Sequence, residues 1–152
     1  MRPVPCMLGS LALVLLVTAR VAVGADDYAS LNQRLQGGDM TVDFRALRLA
    51  WAASPGYAPN RPTVLEHRRA VQKALGEARY EEAGQHAKAW LAEDPLNPFA
   101  HLGAARVFEK TGQPEKMKFH DEVAQAVGKS ICASGEGQDE AKPCPVISID
   151  EE

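Results

Sequence analysis

Between Thr63 and Ile131 the chain repeats itself at an offset of 34 residues: Ala78 and Gly112, Tyr80 and Pro114, and Ala83 and Met117 hold matching places in two successive helical hairpins. A single hairpin of that length cannot bury its own apolar stripe, so the two must stack on each other. The punctuation supports four helices. Thr63 followed by Glu66 forms a capping box that opens a helix running to about Gly76, with Leu65, Val71, Ala74 and Leu75 on its apolar side. Tyr80 to Glu93 carries Ala83, Ala87, Trp90 and Leu91 at helical spacing, closed by Asp94 and Pro95. Asn97 caps the third helix, Pro98 sits in its first turn and Gly112 ends it. Pro114 starts the fourth, with Met117, His120, Ala124, Val127 and Ile131 on one stripe.

Upstream, Asp26 and Asp27 favour a helix start before Tyr28 to Gln36, which Gly37 and Gly38 end. Asp43 caps a second helix whose stripe is Phe44, Leu47, Ala50 and Trp51, stopped by Ser54, Pro55 and Gly56. The stretch from Pro55 to Pro62 is a proline-rich loop. The expected fold is therefore all-α, about six helices in hairpins, with a loop-rich C-terminal tail and one short strand over Val146 to Ile149. Because stacked hairpins need about three units for stability, the pair from Tyr28 to Ser54 is expected to cover one end and the tail the other.

The N-terminus sets the compartment. Arg2 precedes an apolar run from Met7 to Ala19, and small residues gather at Val23, Gly24 and Ala25, which is the order of a cleavable secretory signal. The run is short for a bilayer span, and cleavage is expected near Ala25. Cys6 precedes the run, where lipid attachment does not occur. The expected organisation is thus a signal over residues 1–25, an N-terminal helical pair and loop over 26–62, two hairpins over 63–131 and a tail over 132–152, in a periplasmic or secreted protein with no membrane contact after cleavage. Without residues 1–25, 15 Lys and Arg face 20 Asp and Glu. An acidic chain lacking a dense basic tract is not built for nucleic acid. Cys132 and Cys144 remain, an even pair expected to form a disulfide in an oxidising compartment. With no CxxC or HxxxH beside them they fall two ligands short of a closed zinc site.

The 34-residue hairpins resemble tetratricopeptide repeats. From about Asp27 to Glu152 the chain also resembles the domain of unknown function 4919 family of secreted bacterial proteins. That likeness rests on Asp43-Phe44, Leu47-Arg48 and Trp51; Ser54-Pro55 with Tyr57 and Pro59; Tyr80-Glu81 with Ala83; Asp94-Pro95-Leu96-Asn97; Ala100-His101-Leu102; Gly112; Phe119-His120; Ser130-Ile131 with Ser134, Gly135 and Gly137; Val146-Ile147-Ser148; and Glu151-Glu152. The family has no assigned function and implies none. Members continue past the paired glutamates, whereas this chain stops at Glu152, and its cysteine pair departs from the pattern.

Two constellations carry chemistry. His101 and His120 lie on antiparallel partner helices and are expected to meet at a polar seam; a metal there needs a third ligand such as Asp121 or Glu109, and no HExxH spacing supplies one. Ser134-Gly135-Glu136-Gly137 lacks both the GxSxG turn and the Walker lysine and reads as a flexible turn. Glu151 and Glu152 read as a solvated acidic end. In tetratricopeptide units the first helix lines the inner groove, which places Leu65, Arg68, Arg69 and Gln72 beside Phe99, Leu102, Arg106 and Glu109. Arginines over an apolar floor suit a carboxylate-bearing protein or peptide, with Arg68, Arg69, Gln72, Phe99 and Arg106 as the binding set. The expected function is a binding or scaffolding module with no metal or cofactor; the alternative is a metal-dependent or other enzyme at the His101/His120 seam.

Overall fold

The computed structural model describes residues 25–59, 61–133, 143–148 and 151. The described residues form six helices: α1 (Ala25–Gln36), α2 (Phe44–Ala52), α3 (Pro62–Gly76), α4 (Tyr80–Glu93), α5 (Pro98–Lys110) and α6 (Pro114–Ile131). The expected all-α hairpin fold is the observed one. The local signals act as their chemistry dictates: the Asp43 carboxylate accepts from the Ala46 amide, and the Asn97 side chain accepts from the amides of Phe99 and Ala100. The helix-ending turns of the two hairpins match bond for bond. The Ala78 and Arg79 amides donate to Leu75 and Ala74, as those of Gly112 and Gln113 donate to Glu109 and Phe108. Both turns need a left-handed residue, and Ala78 (φ 57°) takes the conformation that Gly112 (φ 70°) adopts without strain.

Helices α3, α4, α5 and α6 pack successively, and α3 also touches α5. Gly103 permits that approach, since a Cβ there would lie 3.0 Å from a Val71 methyl. One core joins Val64, Val71, Ala87, Trp90, Ala100 and Ala104 between these layers. The second core sets the topology: Leu35, Phe44, Leu47 and Trp51 of the N-terminal pair pack with Leu96, Val123 and Val127, and Ile147 of the tail lies against them.

Four expectations are corrected. The N-terminal pair and the tail cover the same end of the stack, because α2 docks on α6 and its Arg48 reaches both α6 and the tail. The N-cap of α3 lies two residues before Thr63, at Arg61, which makes no side-chain cap bond; a proline in the first turn sets the start, and the Thr63 hydroxyl instead donates to Glu93 at 2.5 Å. Val64, not Leu65, faces the core of α3, leaving Leu65 exposed. Val146 to Ser148 is irregular, so no strand occurs among the described residues; Ile149 lies outside them. The signal segment over 1–24 and the Ser134 to Gly137 turn lie outside them as well.

Candidate functional site

Three polar arrangements emerge from the packing. The first is the shared face of α3 and α5. Leu65, Phe99 and Leu102 are its large exposed apolar side chains, with Phe99 44% exposed. The spacing 65, 68, 72 on α3 and 99, 102, 106 on α5 places two matched rows side by side, each step close to a helical turn. The Arg68 guanidinium stacks over the Phe99 ring at 5.1 Å and so links the two helices across the face. Arg69, Gln72, Arg106 and Glu109 are exposed. The structure therefore brings the five expected binding residues onto two adjoining helices, with Arg68 half-buried against Phe99 and Arg106 open to solvent.

The second arrangement is a seam of histidines. His101 is buried, and its Nε2 lies 3.0 Å from the Pro95 carbonyl. A carbonyl only accepts, so Nε2 carries the proton and Nδ1 is bare. The His120 Nδ1, 2.9 Å away, must then donate to it. Burial, partly opposed by the Pro95 bond, lowers the His101 pKa to about 4; burial lowers that of His120 too. His101 is thus neutral at pH 7, with both nitrogens engaged. Among the described residues no group of three His, Cys, Asp or Glu side chains could hold a metal, and the Asp121 carboxylate accepts from Gln125 instead. His120 borders a crevice of about 670 Å³ between α4, α5 and α6, walled by Gly84, Leu91, Val107 and Phe108. By helical spacing this crevice opens on the side of α5 opposite Phe99 and Arg106.

Sequence reasoning missed the third arrangement. Arg48 is wholly buried: its Nε donates to Glu151 Oε1 at 2.8 Å, Nη2 to the Pro145 carbonyl at 2.8 Å and to Glu151 Oε2, and Nη1 to the Ser130 carbonyl at 3.2 Å. The Ile147 amide donates to the same carboxylate at 2.8 Å. Glu151 is therefore a buried partner and not a solvated tail residue, because an arginine sealed into the α2–α6 interface needs a full set of acceptors; Glu152 lies outside the described residues. The Cys132–Cys144 disulfide, with Cα atoms 5.1 Å apart, ties this tail to the end of α6. The arrangement is a structural lock, as all three guanidinium nitrogens and both Glu151 oxygens are bonded internally.

Also unforeseen, His67 and His86 form a second pair between α3 and α4. The signal was present: His67 and His101, and His86 and His120, each lie one 34-residue repeat apart. No family model, curated protein or solved structure matches this chain.

Proposed function

We propose that this is an exported helical-repeat protein whose α3/α5 face binds a protein or peptide partner carrying a carboxylate. The observation that carries the reading is the exposure of Leu65, Phe99 and Leu102 beside Arg69 and Arg106 on two packed helices that the Arg68–Phe99 stack links. Apolar side chains of this size in a contiguous patch rimmed by charge are the composition of a binding surface, and a guanidinium offers two parallel donors to a carboxylate. Export is supported by the leader-like order of residues 1–25 and by the Cys132–Cys144 disulfide, which persists in oxidising compartments. Among the described residues no helix is long and apolar enough to cross a membrane. Membership of the 4919 family is supported by the order of its motifs, several of which (Phe44, Leu47, Trp51, Leu96 and Ile147) meet in one core.

The test is site-specific photocrosslinking in the exporting cell, with a photoreactive residue at Leu102 on the α3/α5 face or at Lys88 beside the crevice. The expected result is a discrete adduct from position 102 and none from position 88. An adduct from position 88 alone moves the binding site to the crevice, and adducts from neither position refute the proposal.

A further inference from the structure

The two hairpins carry the same histidine pair in different chemical settings. In the second hairpin the Nδ1 atoms of His101 and His120 are 2.9 Å apart, a hydrogen bond, and the outer nitrogen of His101 is held by a carbonyl. In the first hairpin the Nδ1 atoms of His67 and His86 are 3.4 Å apart, beyond the usual N–H···N distance. Two nitrogens bound to one tetrahedral zinc ion, each about 2.0–2.1 Å from it, lie about 3.3 Å apart. The separation in the first hairpin matches that edge.

The surroundings differ in the same sense. The His67 Nε2 lies 3.6 Å from Glu93 Oε1, and Glu93 Oε2 accepts from the Thr63 hydroxyl at 2.5 Å. The 3.6 Å separation is an ion-pair contact rather than a hydrogen bond, and the nearby carboxylate favours the proton on the outer nitrogen, leaving Nδ1 to face His86. The second hairpin has Val127 and Asn97 at the places of Glu93 and Thr63, and so lacks the carboxylate. His67 and His86 are half-buried, His67 with 23% of its side chain exposed, so solvent reaches the pair.

The geometry points to a two-histidine site between α3 and α4, in which the Nδ1 atoms of His67 and His86 bind one borderline transition-metal dication, zinc being the reference case, with Glu93 and Thr63 as positioning residues. Imidazole nitrogens favour zinc, copper and nickel over magnesium or calcium. With no third protein ligand among the described residues, water or a partner's side chain completes the shell. The site is independent of the peptide-binding reading, since it uses none of the residues on the α3/α5 face.

Calorimetric titration of Zn²⁺ into chelator-treated, tag-free protein at pH 7.5 tests it. The expected result is one equivalent bound, lost in His86→Gln and in His67→Ala, weakened in Glu93→Gln, and unchanged in His120→Asn, which alters only the other seam. Circular dichroism of each zinc-free variant separates loss of ligand from loss of fold, and His86→Gln retains an amide in the half-buried position. Absence of uptake by the unaltered protein overturns the site, as does stoichiometric uptake that survives loss of both histidines.

Discussion

Arg48 and Glu151, 103 residues apart in the chain, meet as an ion pair inside the interface that holds α2, α6 and the tail together. Neither side chain is more than 2% exposed. Glu151→Gln or Arg48→Met leaves a buried charge without its partner and is expected to lower unfolding free energy by about 3–5 kcal/mol in chemical denaturation. Arg48→Met combined with Glu151→Leu is expected to recover much of that loss, because it removes both charges and fills the space with apolar atoms.

The disulfide and the ion pair act on the same tail. A loop closed across 12 residues contributes about 3 kcal/mol in the chain-entropy model, so Cys132→Ser or added dithiothreitol is expected to lower the melting temperature. Because the tail also supplies the Pro145 carbonyl and Glu151 to Arg48, the losses from Cys132→Ser and Glu151→Gln are expected to be non-additive in a double-mutant cycle. Strict additivity would mean that the tail stays docked without the bridge.

His101 predicts an acid-sensitive fold. Its folded pKa near 4 lies below its unfolded value of 6.5, so on acidification the unfolded chain takes up a proton that the folded chain refuses. The stability is full above pH 6.5, falls as pH drops toward 4, and the loss approaches about 3 kcal/mol. His120 adds in the same direction. Denaturant midpoints at steps from pH 7 to pH 4 should show this slope, and His101→Gln should flatten it.

Ala78 holds a left-handed conformation that costs an L-residue roughly 1–2 kcal/mol. Ala78→Gly is expected to stabilise the protein by up to about 1 kcal/mol, once the greater freedom of glycine in the unfolded chain is deducted. Thermal melts of the two proteins check the sign.

The helices were legible because their punctuation is local: Asp43, Asn97 and Gly112 each act on amides or carbonyls within a turn or two. The meeting of His101 with His120 followed from helical spacing and antiparallel packing alone. Arg48 was not legible as a buried group, since a charged residue beside an apolar stripe is ordinarily solvated and its partner lies far along the chain. The meeting of α2 and the tail at the end of α6 was hidden for the same reason. The Thr63 and Glu66 spacing misled because Pro62 started the helix first and freed Thr63 to bond Glu93. The second histidine pair is visible in the 34-residue offset, since His67 precedes His101 and His86 precedes His120 by that interval.

Whether the α3/α5 face carries the ligand is decided by the affinity of one peptide, selected on the unaltered protein from a library with free C-termini, for a few variants. Arg106→Glu and Phe99→Ala should each weaken binding about tenfold or more, consistent with loss of a charged hydrogen bond or an apolar anchor, while the helical circular-dichroism signal stays intact because both side chains are exposed. Lys88→Glu, beside the crevice on the other side of α5, should leave affinity unchanged. Unaltered binding by Arg106→Glu, together with loss of binding in a folded His101→Ala, would exclude the α3/α5 face and move the site to the histidine seam.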